Sequence, residues 1–274
     1  MLTFVELCAG TAAVSLRLHH SRARPPVSRM GAKTGYADTI LRVLGLRPGQ
    51  RADRYVWCEP DPGVRLLLET CRDEELATRT ANVIRGWQNE EPEALWYRLL
   101  KLANHPSRAE EIAARTILAQ WAFRRGEPIS GFNRGVQTGT AWNARQIETA
   151  KRVKATTGLP AVICTDARNL AIEVLGHTVI FIDPPYENTT GYIHDFPRSE
   201  WLPLVRAWKA SGATVCISEA EPIPELVVDD WYAVEITGER KGQKRTFSKQ
   251  QAEWLTLSHP PKWRPSVQQG LFEC

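Results

Sequence analysis

The 274-residue chain has no Cys-x-x-Cys pair and no run that approaches 18 consecutive apolar residues. Its six cysteines (8, 58, 71, 164, 216 and 274) stand apart, mostly in apolar stretches. That spacing predicts reduced, buried thiols of a cytoplasmic protein and argues against a disulfide framework or a zinc site. Without a long apolar run a membrane span is not expected, and Met1-Leu2-Thr3 leads straight into an apolar stretch, which predicts no cleavable signal peptide. None of the six histidines has a Cys, Asp or Glu partner at metal-ligand spacing, so no metal is expected. No Ser-His-Asp arrangement stands out, and neither G-x-G-x-x-G nor G-x-x-x-x-G-K-[ST] occurs, which disfavours a dinucleotide fingerprint and a P-loop.

What is present is an ordinary globular composition, 24% charged and 43% hydrophobic, which argues against global disorder. The length suits one large domain or a domain with an inserted subdomain, and such a chain buries roughly three quarters of its unfolded surface. The net charge of +4 is unevenly spread. Residues 15–54 hold nine Lys/Arg against two Asp/Glu, residues 101–154 ten against four, and residues 238–250 five against one. These stretches together carry +17 and the remainder −13, a segregation that suits a polyanion-binding face on an acidic body. Solvated basic loops with no partner are the plainer alternative.

Short apolar runs bounded by turn residues predict strands at Leu2–Leu7, Tyr55–Cys58, Ala161–Cys164, Thr178–Ile182, Ala213–Ile217, Trp231–Ile236 and Glu253–Leu257. Most lack alternation, as strands covered on both faces should. Helical spacing between them at Ala12–His19, Tyr36–Val43, Pro62–Cys71 and Trp201–Ala210 predicts an open, doubly wound α/β sheet. From about Asp73 to Thr157 that rhythm gives way to helix after helix, with apolar residues at helical spacing in Ala94–Leu102 and Ile112–Phe123. The division is therefore a sheet domain of residues 1–72 and 158–259, a helical insert of 73–157, and an extended tail of 260–274. Of the ten tryptophans, Trp57, Trp96 and Trp254 read as core.

The strongest local signal is Asp183-Pro184-Pro185-Tyr186, directly after Val179–Ile182. Ligands of open α/β sheets are handled at the carboxyl ends of strands. An exocyclic amine is a poor nucleophile because its lone pair is delocalised into the ring. The Asp183 carboxylate and a carbonyl of the rigid Pro-Pro turn can accept its two hydrogens and stabilise the positive charge that develops there. Tyr186 offers a face for a base. The plain alternative is a strand followed by a Pro-rich turn with a capping Asp.

A second signal is the strand, small-residue turn and helix of Phe4-Val5-Glu6-Leu7-Cys8-Ala9-Gly10-Thr11-Ala12. Small residues let backbone approach a cofactor, and Gly10 can take a positive φ. Two acidic residues follow predicted strands. Glu59 is placed to hold ribose hydroxyls and Asp166 to bond an adenine amino group, although each alone reads as a helix cap.

Taken in order, Phe4–Gly10, Glu59, Asp166 and Asp183-Pro184-Pro185-Tyr186 resemble the motifs of Dam-like adenine-N6 DNA methyltransferases. The resemblance spans most of the chain and implies a mostly parallel, seven-stranded Rossmann-like methyltransferase sheet with an inserted target-recognition subdomain. It implies S-adenosylmethionine as cofactor, held by Glu6, Cys8, Ala9, Gly10, Lys33, Glu59, Asp166 and Asp183. It implies double-stranded DNA as partner and the Asp183–Tyr186 turn as the catalytic site. Gly131-Phe132-Asn133 is similar to the family's segment near DNA. Arg124, Arg125, Asn133 and Arg134 of the insert are the expected DNA contacts, together with Arg240, Lys244 and Arg245 of a late basic hairpin. Residues Glu187–Arg198 are positioned as a lid over a flipped base.

One departure concerns Arg29-Met30-Gly31-Ala32-Lys33-Thr34-Gly35-Tyr36, which resembles the family's Gly-Gly-Lys cofactor motif but follows the strand-turn motif instead of preceding it. Lys33 could reach the cofactor's carboxylate, or belong to a basic loop that meets phosphate or solvent. The Pro-Cys dipeptide that C5-cytosine methyltransferases use for covalent attack is absent, which disfavours chemistry on carbon. N4-cytosine methylation needs the same amine chemistry and stays open, as does a catalytically silent DNA-binding module. Gln268-Gln269-Gly270-Leu271-Phe272 resembles peptides that dock into bacterial sliding clamps, against the reading of an apolar tail packing on the body. A monomer or weak dimer in the cytoplasm of a bacterial or phage-infected cell is expected.

Overall fold

The structure is a computed structural model that describes residues 1–26, 32–102, 108–122, 139–170, 176–186, 194–240 and 252–265. Seven strands form one sheet: β1 (Leu2–Leu7), β2 (Arg54–Cys58), β3 (Ala161–Cys164), β4 (His177–Ile182), β5 (Thr214–Glu219), β6 (Tyr232–Glu235) and β7 (Trp254–Leu257), in the order β3-β2-β1-β4-β5-β7-β6. Every predicted strand is present, with ends shifted by at most two residues. β1 to β5 pair in parallel, whereas β7 is antiparallel to both β5 and β6. The sheet is therefore mixed, with one strand reversed.

Alternate side chains of the buried strands supply two different cores, which is why these strands read as continuous apolar runs. Leu2, Phe4, Val179 and Phe181 point to one face, where they meet Val14, Leu16 and Leu18 of α1 (Ala13–His19) and Ile40 and Leu41 of α2 (Ala37–Val43). Val5, Leu7, Ile180 and Ile182 point to the other, against Trp201, Leu202, Val205 and Trp208 of α8 (Arg198–Ala210). Helices on both faces make the sheet doubly wound. α8 starts three residues before the predicted Trp201 and takes Pro203 into its interior, where a proline is a poor guide to the helix start.

Between β2 and β3 lie α3 (Pro62–Arg72), α4 (Glu74–Gly86), α5 (Pro92–Leu100), α6 (Ala109–Ala122) and α7 (Gly139–Ala155). Asp61, Asp73 and Glu91 each accept backbone amide hydrogens at the starts of α3, α4 and α5, and Pro62 and Pro92 occupy first-turn positions that need no N–H. These helices enclose their own core of Ile84, Leu95, Trp96, Leu99, Ile117, Trp142 and Val153, joined to the sheet side through Leu67 of α3.

Trp57 and Trp96 are fully buried, while Trp254 is half-buried. The five described cysteines are free thiols. Residues 260–265 pack back on the body: the Lys262 amide donates to the Val43 carbonyl (2.9 Å) and the Arg42 guanidinium lies over the Trp263 ring (4.5 Å). Among the described residues no helix is long and apolar enough to cross a membrane.

Candidate active site

Strand register sets the site. Leu7 pairs with Cys58 and with Ile182, Cys58 pairs with Cys164, and Ile182 pairs with Ile217, so β1 to β5 end along one edge. The order reverses between β1 and β4, and the crevice outside such a reversal is where open α/β sheets bind ligands. Backbone bonds tie these ends together: Ala9 N–H to Cys58 O (2.9 Å), Glu59 N–H to Cys164 O (3.1 Å) and Asp183 N–H to Leu7 O (3.3 Å).

The turn after β1 is unusual in its backbone. Cys8, Gly10 and Ala12 all have positive φ, at 54°, 50° and 47°. An L-residue in this region costs about 1–2 kcal/mol, so the conformation persists only where the surroundings hold it. They do: the Glu59 carboxylate accepts from the Gly10 amide (2.9 Å) and from the Asp61 amide (3.1 Å). A Cβ built on Gly10 would meet only the Cys8 carbonyl, at 3.9 Å, so there is open space over the turn. The Thr11 hydroxyl oxygen is buried with no hydrogen-bond partner among the described residues. Cys8 is half-buried; burial first, then Glu59 and Asp183, push its thiol well above the usual range, which keeps it protonated and a poor nucleophile.

Glu6 has a structural duty. α1 starts after Ala12, which has no capping side chain, and the Glu6 carboxylate serves instead, accepting from the amides of Val14 (3.4 Å) and Ser15 (2.8 Å) and from the Ser15 hydroxyl. Burial pushes its carboxyl up to about 7, against these hydrogen bonds, which pull it down; Asp183 adds a smaller push upward. The Glu6 carboxylate, expected to hold cofactor, thus also serves the start of α1.

Asp166 caps the turn Ala167–Asn169 through the Arg168 amide (2.9 Å) and pairs with the Arg168 guanidinium (3.3 Å). Arg168 also reaches Glu200 and the Asp195 carbonyl (2.7 Å), linking this strand end to the start of α8. The helix-cap reading of Asp166 is thus what the contacts show.

At the end of β4 the Asp183 carboxylate meets the Lys33 ammonium at 2.8 Å, and Lys33 is only 5% exposed. The ammonium also reaches the Tyr186 hydroxyl (2.7 Å) and Glu253 (3.3 Å). It lies 4.8 Å from the Tyr186 ring centroid, so it engages the hydroxyl end and not the centre of a ring face. Tyr186 donates to Glu253 (2.5 Å), and Ser218, 2.9 Å from that hydroxyl, donates to the same carboxylate oxygen. Burial pushes the Asp183 carboxyl up to about 6; Lys33 pulls it down and Glu253 pushes it up. Burial opposes the charge on Lys33, but Asp183 and Glu253 outweigh it and raise its affinity for the proton. Burial, Asp183 and Glu253 drive the Tyr186 phenol far up, so it stays protonated.

Lys33 is therefore not a solvated loop cation: the turn Lys33–Gly35 carries it into the Asp183 cluster. Pro184 is buried and Pro185 half-buried beside it. Sequence reasoning passed over Ser218 and Glu253. Glu253 was visible only as the first residue of a predicted strand, and nothing local says that β7 runs backwards.

Of the expected DNA contacts only Arg240 is described, exposed just after the turn Thr237–Glu239. Arg124, Arg125, Asn133, Arg134, Lys244 and Arg245 lie outside the described residues, as do Arg29–Gly31, residues 187–193 and Gln268–Phe272. Within the basic stretch 15–54, Arg17 pairs with Asp38 (2.5 Å), Arg42 covers Trp263 and Lys33 is buried, so part of that charge serves the fold. No protein-family model matches the chain, and no curated protein matches it.

Proposed function

We propose that the chain is an S-adenosylmethionine-dependent DNA methyltransferase that takes a flipped adenine and methylates its N6 amino group. The observation that carries this reading is the Asp183-Pro184-Pro185-Tyr186 turn at the end of β4, beside the β1 turn at the reversal of strand order. The run β3-β2-β1-β4-β5 has the 3-2-1-4-5 order of nucleotide-binding doubly wound sheets, which supports a Rossmann-like methyltransferase domain.

The residues present fit the cofactor on two observations: the open space over Gly10 and the buried, unpartnered Thr11 hydroxyl. The turn Cys8–Gly10 would face it, Glu59 would take its ribose hydroxyls and Asp166 its adenine amino group. When bound, S-adenosylmethionine supplies an electrophilic methyl group.

The chain's own residues prepare the amine. Asp183 accepts one amine hydrogen and the Pro184 carbonyl the other, which favours pyramidal nitrogen and stabilises the charge that develops on it. Tyr186, pinned at its hydroxyl, gives the base a ring to stack on, worth roughly 1–3 kcal/mol and set against the few kcal/mol that base extrusion costs. Positioning and electrostatics supply the rate; Cys8, held protonated, is no nucleophile.

Double-stranded DNA is the partner, gripped by Arg240 and by the basic residues of the insert and late hairpin, in a cytoplasmic setting. Gln268–Phe272, a few residues past the anchored Trp263, would tether the enzyme to a sliding clamp. The test is purified chain, labelled S-adenosylmethionine and duplex DNA, with the product digested to nucleosides and weighed. N6-methyl-2′-deoxyadenosine is expected. N4-methyl-2′-deoxycytidine would move the target to the other exocyclic amine, and no labelled nucleic acid of any kind would leave a silent binding module.

A further inference from the structure

Glu253 sits where the established motifs end, and what it touches is the catalytic turn. One of its carboxylate oxygens takes the Tyr186 hydroxyl at 2.5 Å, the Ser218 hydroxyl, and the Lys33 ammonium at 3.3 Å. Its backbone is fixed as well: its amide donates to the Thr237 hydroxyl (2.9 Å) and its carbonyl accepts from the Ile236 amide (2.8 Å). Glu253 is 7% exposed, and a carboxylate buried to that degree needs its partners.

We propose that Glu253, with Ser218 beside it, is a positioning residue of the active site, which locks the Tyr186 ring by its hydroxyl and holds the Lys33 ammonium against Asp183. The proposal rests on the methyltransferase reading for the reaction that is positioned, but not for the contacts themselves.

Two consequences follow from the geometry. The Tyr186 ring cannot swing without breaking a hydrogen bond to a buried carboxylate, so it is set in place before a base arrives. The buried charges are one ammonium and two carboxylates, so the cluster is one negative charge in excess when all are ionised. That excess favours a positive charge growing beside Asp183, which is what an amine acquires as it is methylated. The groups that face Asp183 are Glu6 from β1, Cys8 from the following turn, Lys33, Tyr186 and Glu253. Lys33 and Glu253 act on its carboxyl in opposite directions, and this makes the role measurable.

The experiment compares wild type with Glu253→Gln, Lys33→Met and Tyr186→Phe, each checked for folding by its melting curve. Asp183 is followed by carboxyl carbon NMR in the protein without cofactor, and methyl transfer as kcat and KM against pH. Glu253→Gln moves the Asp183 midpoint and the acid limb of kcat to lower pH, Lys33→Met moves both to higher pH, and Glu253→Gln lowers kcat about tenfold to a hundredfold at little cost in cofactor affinity, the size expected of a misplaced catalytic group. Tyr186→Phe removes the same hydrogen bond without touching the charges, so kcat falls while the Asp183 midpoint stays near about 6. An unmoved Asp183 midpoint with full kcat in Glu253→Gln, or full kcat in Tyr186→Phe, overturns the positioning role while leaving the methyltransferase reading intact. Opposite shifts of the midpoint in Glu253→Gln and Lys33→Met, with a wild-type protein that transfers no methyl group, support the positioning of Asp183 and overturn the reaction.

Discussion

The carboxylate of Glu59 accepts the amide hydrogen of Gly10 at 2.9 Å, across 49 positions of sequence. This bond holds a turn that carries three residues of positive φ against the end of the neighbouring strand. Glu59→Ala removes both the tie and the proposed ribose acceptor. S-adenosylmethionine affinity measured by calorimetry is expected to fall by at least about tenfold, a 1.4 kcal/mol loss, in line with a hydrogen bond to a charged group. Glu59→Gln, which keeps one acceptor, should fall less.

Asp183→Ala is expected to abolish methyl transfer while cofactor binding survives. Asp183→Asn keeps one acceptor oxygen and loses the charge, for a loss of about 10²–10³ in kcat. Lys33 retains Glu253 in either variant, so no buried cation is orphaned. In the wild type the rate of methyl transfer is expected to fall as pH drops through about 6, because a protonated Asp183 would stabilise the growing charge poorly. A rate flat down to pH 5 would contradict the role.

Glu6→Ala leaves the start of α1 without its cap and should destabilise the protein by about 1–2 kcal/mol in urea unfolding. The pH dependence has a definite sign. The folded carboxyl lies at about 7, above its ordinary value of 4.5, so burial favours the neutral form. Its contribution is complete below pH 4.5 and is lost as pH rises through about 7. Relative to Glu6→Gln, wild-type Tm should therefore decline across that window.

Gly63 is the tight point between α3 and α6. A Cβ there would stand 2.6 Å from the Thr116 hydroxyl and 3.3 Å from the Asp61 carboxylate. Gly63→Ala should cost about 1–3 kcal/mol by overpacking. Adding Thr116→Ala should recover at least about 0.5 kcal/mol of it in a double-mutant cycle read by urea unfolding.

Arg240 is exposed beside the active edge. Arg240→Ala should weaken duplex binding about equally across sequences and reduce the slope of log affinity against log salt by about 1. A loss confined to one sequence would make it a base reader instead.

The sheet was legible in the sequence because a strand buried on both faces needs a continuous apolar run, as β1 and β4 show, and turn residues bound each of the seven runs. The Asp183–Tyr186 turn was legible for a similar reason: four chemically specific residues stand together directly after such a run. Strand direction was not, since Trp254–Leu257 reads the same forwards or backwards, and with it went the placement of Glu253. The helix duty of Glu6 was not legible, because a carboxylate beside a glycine turn suits a cofactor and a helix start equally; Ala12, unable to cap, was the available clue. Lys33 stood in an unfamiliar motif order, and only the path of the first crossover brings it to Asp183.

The reversal of β7 has a mechanical consequence. β6 runs with the parallel strands and so delivers Ile236 to the same edge from which β7 sets out with Glu253, and the two residues are joined by a 2.8 Å backbone bond. Whatever Arg240 and the basic stretch after it hold, the pull enters the protein through this stem. A load on the stem reaches the carboxylate that pins Tyr186 without crossing the sheet, so the stem and the setting of that ring share one short lever.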